Sequence, residues 1–202
     1  MKRLSAFAIV LLVHAWPGLA FAQTAPQRFE AGVHVSSVTS GQFDGTDMGV
    51  GGRLAWYPFR SVGIESELTL YPGEFPDERP FSGDRVEGLF GVTFGPHLEH
   101  VRPFARLRSG FLNIREASQP FACILIYPPP LACTLAAGRT LAAFDLGGGV
   151  ELRAHERVVV RLDAGDRLLR YPGPVLDADG ESRNDAFFSH DLRLAAGVAF
   201  RF

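Results

Sequence analysis

The sequence is nearly free of lysine, cysteine and long apolar runs, and each shortage excludes a class of protein. Among 202 residues Lys2 is the only lysine, Cys123 and Cys133 are the only cysteines, and the net charge is −2. So balanced a charge argues against a nucleic-acid binder, whose basic patch usually raises the pI above about 9. A metal site is not expected, because no histidine or further cysteine lies near the pair in sequence. A content of 47% hydrophobic and 21% charged residues excludes a disordered chain.

The first residues have the organisation of a secretory signal peptide. A basic start at residues 2–3 precedes an apolar run over 4–15, and the small residues Ala20 and Ala22 provide a small-x-small cleavage site. The apolar run is too short for a spanning helix, which requires roughly 20 residues, although a membrane anchor is the alternative. We therefore expect residues 1–22 to be a signal peptide and residues 23–202 to form one domain.

From Phe29 to Phe202 apolar and polar residues alternate with the period of two that β-strands require. Eight such segments of about ten residues occur, and no helix is needed to account for the rest. Connections near residues 59–60, 97–102 and 154–157 are short, whereas those near 39–47, 72–84, 116–139 and 172–185 are long. An even number of strands with this asymmetry predicts an all-β fold, an eight-stranded antiparallel up-and-down β-barrel.

The charges of the polar face favour a barrel with its apolar face outside. Acidic residues and arginines occur on that face in equal numbers, as a lumen sealed from water requires, because unpaired buried charges are costly. We expect these side chains to form a lumen charge network: Glu30, Arg53, Glu65, Glu67, Glu87, Arg106, Arg108, Asp145, Glu151, Arg153, Arg161, Asp163, Arg167, Asp191, Arg193 and Arg201.

Aromatic residues collect near the strand ends, where membrane barrels carry interfacial girdles. We assign eleven of them to such girdles: Trp56, Tyr57, Phe59, Tyr71, Phe81, Phe104, Tyr171, Phe187, Phe188, Phe200 and Phe202. Together with the apolar stripe, these girdles predict a transmembrane barrel, and a soluble periplasmic lipocalin-like binding barrel is the alternative.

The strand count, the loop asymmetry and the final segment Leu-Arg-Leu-Ala-Ala-Gly-Val-Ala-Phe-Arg-Phe resemble the small eight-stranded outer-membrane β-barrel proteins. That family includes the transmembrane domain of outer membrane protein A, outer membrane protein X and the opacity proteins. The resemblance implies the outer membrane of a Gram-negative bacterium, periplasmic termini, and contact with lipid and lipopolysaccharide. It also implies that Phe200 and Phe202 form an assembly signal read by the barrel-assembly machinery. No peptidoglycan-binding domain is expected after the barrel.

Cys123 and Cys133 bracket an apolar, proline-rich segment of a long connection. In an exported protein such a pair favours a disulfide, and two free thiols are the alternative. The segment would then form a rigid cap over the barrel mouth, or an adhesive tip, since exposed apolar patches often mark contact sites.

No arrangement of residues predicts catalysis, a cofactor or a metal. His34 and Ser36 share a strand face, as in the lipid A 3-O-deacylases, but that face is the inward one. Ser189, His190 and Asp191 cannot converge, because neighbouring strand residues point to opposite faces. We expect a non-enzymatic, monomeric surface or porin-like barrel with a possible extracellular partner and no nucleic acid. A lipid A-modifying enzyme and a narrow solute path are the alternatives.

Overall fold

Eight long antiparallel strands dominate the computed structural model, which describes residues 28–43, 45–72, 84–96, 98–116 and 126–202. A two-stranded hairpin and one short helix complete the described chain. In order, the elements are β1 (Phe29–Thr39), β2 (Thr46–Phe59), β3 (Val62–Tyr71), β4 (Arg85–Phe94), β5 (Val101–Ile114), α1 (Leu131–Ala136), β6 (Arg139–Arg153), β7 (Val158–Tyr171), β8 (Val175–Leu176), β9 (Ser182–Arg183) and β10 (Phe187–Arg201).

The eight long strands close into a barrel in the order β1-β10-β7-β6-β5-β4-β3-β2. Closure occurs where β1 pairs antiparallel with β10, from Glu30 opposite Arg201 to Thr39 opposite Leu192. Short turns at residues 60–61, 95–100 and 154–157 lie at the same end as both barrel termini, and we call it the turn end. The longer connections define the loop end. The predicted up-and-down barrel is confirmed.

The barrel wall is apolar outside and polar inside along most of its height. Outward side chains such as Val33, Leu54 and Leu107 are 70%, 61% and 55% exposed, whereas inward Asp145 and Arg193 are fully buried. A soluble barrel would place these faces the other way round, because exposed apolar surface in water is unfavourable. The lipocalin-like alternative is therefore wrong, and the fold is that of a transmembrane β-barrel.

At the loop end the inward face of β5, β6 and β7 changes from charged to apolar. Barrel residues there pack against α1 and β8 in a cluster that we call the upper core. Its buried members are Leu89, Leu112, Ile114, Leu131, Leu135, Ala136, Leu141, Ala143, Leu169, Tyr171 and Val175. Two expectations are corrected here: a helix is present, and β2, β5, β6, β7 and β10 have 14 or 15 residues instead of about ten. Of these strands, β5, β6 and β7 extend to line this core.

Several sequence-based predictions fall outside the described residues. These are the signal peptide over 1–22, the girdle residue Phe81 and Cys123. The described part of the chain contains no helix with the length and hydropathy of a membrane span.

Candidate functional site

The most distinctive site is the barrel lumen, which holds a balanced network of buried charges. Among the described residues, nine carboxylates and nine guanidinium groups point inward, and each takes part in at least one ion pair. The carboxylates are Glu30, Asp47, Glu65, Glu67, Glu87, Asp145, Glu151, Asp163 and Asp191. The guanidinium groups are those of Arg53, Arg85, Arg102, Arg106, Arg108, Arg161, Arg167, Arg193 and Arg201.

Asp145 on β6 is at the centre of the network. Its Oδ1 accepts hydrogen bonds from Arg106 Nε at 2.6 Å and from Arg108 Nη2 at 3.0 Å, and its Oδ2 lies 3.7 Å from Arg193 Nη1. Arg106 also pairs with Asp163, and Arg193 pairs with Glu67. Charge-assisted, multidentate contacts of this kind offset the cost of removing ions from water.

At the turn end Glu151 and Glu30 share a group of arginines. Glu151 accepts from Arg102 and Arg201 at 3.3 Å each, and Glu30 accepts from Arg201 Nη2 at 2.7 Å. The Tyr57 hydroxyl donates to Glu151 at 3.1 Å, and the Arg102 guanidinium lies 4.8 Å from the Tyr57 ring centroid. Ion pairs and cation–π contacts therefore fill this end of the lumen.

Toward the loop end Arg167 joins two carboxylates. Its Nη1 donates to Glu87 at 2.8 Å and its Nη2 to Asp191 at 2.7 Å. The other oxygen of Asp191 accepts the Gly41 backbone N–H at 3.0 Å, which ties the first loop to the wall. A cavity of about 40 Å³, enough for a few water molecules, lies between this layer and the upper core.

The observed network differs from the predicted list at four positions. Arg153 ends β6 and is exposed outside the network, because its side chain leaves the barrel where the turn begins. Asp47, Arg85 and Arg102 were missed, although Asp47 pairs with Arg85 at 3.0 Å and Arg102 with Glu151 at 3.3 Å. All three lie in the first two residues of their strands, and only an extension of the alternation could have found them.

Five aromatic residues assigned to the girdles point inward instead, so that part of the prediction is wrong. One of them, Phe187, is half-buried and packs against the upper core, with its ring centroid 5.5 Å from that of Tyr171. Tyr57, Tyr71, Phe104 and Tyr171 are buried, and each shares the parity of inward charged residues on its own strand. Glycine makes room for two of them. A Cβ at Gly49 would lie 2.7 Å from the Tyr71 ring, and a Cβ at Gly63 would lie 2.7 Å from the Tyr57 ring.

The exposed aromatic residues at the turn end cluster where the barrel closes. Phe29 opposes Trp56 with ring centroids 6.5 Å apart, and Phe202 stacks on Phe29 at 6.2 Å and on Phe200 at 6.4 Å. Reciprocal backbone hydrogen bonds of 3.0 and 2.9 Å join Phe29 and Phe202. The two residues of the predicted assembly signal thus lie on the outer surface of the closed seam.

The side chains considered for hydrolysis do not form a catalytic arrangement. His34 points inward, with Nε2 3.0 Å from the Thr69 hydroxyl, and the Ser36 hydroxyl donates to Tyr71 at 3.3 Å. His190 points outward, where it contacts Asp166 at 2.7 Å, whereas Ser189 and Asp191 are buried inside. Among the described residues no group of three or more metal-ligating side chains is arranged to hold a metal.

Loop segments close the loop end above the network. In α1, Leu131 and Leu135 are buried in the upper core, while the half-buried Cys133 lies between them. Pairing of Cys133 with Cys123 stays a prediction. The small β8–β9 hairpin covers the same opening through Val175.

Asp177 organises the turn of this hairpin. Its carboxylate accepts the N–H groups of Asp179 and Glu181 and the Nε of Arg183, at 3.1, 2.9 and 3.0 Å. Desolvation raises the pKa of the Asp177 carboxyl, but the hydrogen bonds from Arg183 and the two N–H groups outweigh it and lower the pKa below its usual value.

These features together define an inside-out barrel of the outer-membrane type, with a filled charged lumen and a capped mouth. No model of a known protein family and no curated protein matches the chain. Among solved structures, Neisserial surface protein A (NspA) is similar at a TM-score of 0.51 and 14% identity, over 86% of this chain and 97% of that chain. The Yersinia pestis attachment invasion locus protein Ail, in complex with the heparin analogue sucrose octasulfate, reaches a TM-score of 0.43 and 14% identity, over 87% and 97%. At such identities the similarity to NspA shows the fold alone.

Proposed function

We propose that the protein is a non-enzymatic surface barrel of the bacterial outer membrane, with a closed lumen and loops that face the cell exterior. The observation that carries the proposal is that two layers of side chains fill the barrel interior, one above the other. The charged network occupies the lumen, and α1 with Val175 completes the upper core above it. A solute would have to displace both, so a structural or surface-contact role is favoured over transport.

Residues 1–22 would direct export, and the exposed seam residues Phe200 and Phe202 would be read by the barrel-assembly machinery. Lipid and lipopolysaccharide would surround a monomeric barrel, whose long loops are the surface available to an extracellular partner. The fold similarity to NspA and the exposure of Ile126 and Tyr127 beside α1 support this assignment.

Orientation and location are testable with two matched insertions. An epitope inserted after Gly180, at the open tip of the β8–β9 hairpin, should be detected by antibody on intact cells. The same epitope after His155, in the exposed β6–β7 turn, should be detected only after permeabilisation. Both variants should migrate differently on gels before and after heating. Detection of both insertions on intact cells, or recovery of the protein from the soluble periplasm, would contradict the proposal.

The closed lumen is testable in planar bilayers. We expect no reproducible conductance step from the folded protein, because the buried ion pairs and the upper core occupy the lumen. A stable, reproducible step would overturn the closed-barrel assignment. Mass spectrometry of lipid A from cells with and without the protein should show identical species, and a lost acyl chain would establish the enzymatic alternative.

A further inference from the structure

Four arginines outside the lumen network lie on the part of the turn-end rim that surrounds the seam between β1 and β10. Arg28 precedes β1, Arg60 lies in the β2–β3 turn, and Arg153 and Arg157 flank the β6–β7 turn, all with exposed side chains. The strands they belong to are neighbours in the barrel, in the order β2, β1, β10, β7 and β6. Among the described residues none of the four forms an ion pair. We call this group the arginine collar.

The collar is a region of net positive charge. Glu156 is the only acidic side chain exposed on this part of the rim among the described residues, and Glu99 lies in the β4–β5 turn outside it. The loop end is nearly balanced, since its exposed side chains include five carboxylates, Asp84, Glu116, Asp179, Glu181 and Asp185, and four arginines, Arg115, Arg139, Arg170 and Arg183. Among the described residues, the excess of exposed arginine over exposed carboxylate is therefore found at the turn end.

The exposed aromatic residues fix the depth of the collar. Phe29, Trp56, Phe59, Phe200 and Phe202 are all exposed, and they belong to β1, β2 and β10 or border them around the seam. Aromatic girdles of membrane barrels lie at the boundary between hydrocarbon and headgroups. Arginines immediately beyond this boundary lie at the height of the lipid phosphates.

The chemistry of the collar suits a phosphodiester. A guanidinium group binds phosphate oxygens through two parallel N–H donors, which a lysine ammonium group cannot do. In a zwitterionic headgroup the ammonium group competes with the arginines for the same phosphate, whereas a glycerol headgroup leaves the negative charge uncompensated. We propose that the arginine collar is a binding surface for anionic phospholipids of the phosphatidylglycerol type, in the leaflet that surrounds the turn end.

Native mass spectrometry of the full chain released from nanodiscs tests this. The nanodiscs contain equal amounts of phosphatidylglycerol and phosphatidylcholine, and the measured quantity is the ratio of the two lipids retained on the protein. One arginine at an anionic surface changes binding by about fivefold, so we expect phosphatidylglycerol to be enriched at least about fivefold. The enrichment should fall with added salt, which screens exposed charges.

Two triple variants separate the collar from general charge. R28Q/R60Q/R157Q should bring the ratio close to one, whereas R115Q/R139Q/R170Q, which removes the same charge from exposed loop-end positions, should leave it unchanged. Heat-modifiable migration of each variant establishes that the barrel is folded, and R157Q alone serves if the triple variant is not. Equal ratios for the two triple variants would overturn the proposal.

A soluble competitor distinguishes a lipid from its phosphate alone. Glycerophosphoglycerol, the headgroup without acyl chains, should not reduce the enrichment at a concentration equal to that of the lipid. If it does, the collar binds free phosphodiesters and the lipid assignment is wrong. Neither result bears on closure of the lumen, which the conductance measurement tests separately.

Discussion

The charged lumen and the apolar upper core occupy the same barrel but follow opposite rules. On β5, inward Arg106 and Arg108 are followed by inward Leu112 and Ile114, all four of them buried. The outward face changes over the same interval, from Leu107 to Asn113, which donates to the Thr140 hydroxyl at 2.7 Å. The polarity of both faces therefore inverts along a single strand.

The inversion shows that the medium outside the barrel wall decides which residues face outward and which face inward at each height. Where lipid surrounds the wall, apolar side chains face outward and the polar ones must satisfy one another inside. Where water surrounds it, the interior is packed like that of a soluble domain. Outward His190 and Asp166, in contact at 2.7 Å, and exposed Arg170 belong to this upper region. The height at which the outward face changes from apolar to polar marks the outer boundary of the hydrocarbon layer.

The largest expected effect comes from removing a charge at the centre of the lumen. D145N should lower the free energy of unfolding by about 3–5 kcal/mol, because it leaves the guanidinium groups around it without their counterion. Urea titration of the barrel in detergent measures the change. The same substitution on the outer surface, D166N, should cost less than about 1 kcal/mol, since that ion pair is exposed. Similar losses for the two variants would mean that the lumen is not sealed from water.

In the upper core the expected effect is one of packing. L135A should reduce the free energy of opening this region by about 2–4 kcal/mol, because the Leu135 side chain is 2% exposed. Native-state hydrogen exchange of the α1 amides reports that opening. L98A, which truncates a side chain 57% exposed at the turn end, provides the control and should leave exchange unchanged. Unaltered α1 exchange in L135A would show that the helix is not held by the upper core.

A single charge moved along the outer surface locates the boundary between the regions. V33R should destabilise the barrel in lipid vesicles by about 2–4 kcal/mol, because it places a guanidinium group on the lipid-facing apolar band. N113R, at the exposed upper end of β5, should cost about 0–1 kcal/mol. Unfolding titrations in vesicles compare them. Equal costs would place both positions in the same environment and contradict the boundary.

The smallest effect concerns the β8–β9 hairpin and depends on pH. The folded pKa of Asp177 lies below its usual value of 3.8. The ionised carboxylate therefore stabilises the hairpin fully above pH 3.8, and this stabilisation is lost as the pH falls through the folded pKa. The amide protection factors of Asp179 and Glu181, corrected for intrinsic exchange, should therefore fall at acidic pH. D177N, which cannot titrate, should give a flat profile. Equal protection factors in the native protein and in D177N above pH 4 would rule out the carboxylate as the anchor.

The sequence alone predicted the barrel, since alternation, strand number and loop asymmetry all depend on local periodicity. It predicted fifteen of the eighteen inward charges for the same reason, but it lost Asp47, Arg85 and Arg102 where the pattern fades at strand ends. Tyr57 and Tyr71 were wrongly assigned to the girdles, because their positions in the alternation of each strand indicate inward side chains. The six-residue α1 gave no signal, since Pro130 at its start offers no side-chain cap and packing in the upper core holds it.

The ion pairs of the lumen also join strands that are not neighbours. Arg161 on β7 donates to Glu65 on β3 at 2.8 Å, and Arg108 on β5 donates to Glu67, also on β3, at 2.8 Å. In a half-closed sheet these arginines and carboxylates would face hydrocarbon without their partners. The free-energy cost of such unpaired charges is not compensated in any partial structure. Insertion into a bilayer should therefore be concerted, with all eight strands crossing as one unit and no stable open intermediate.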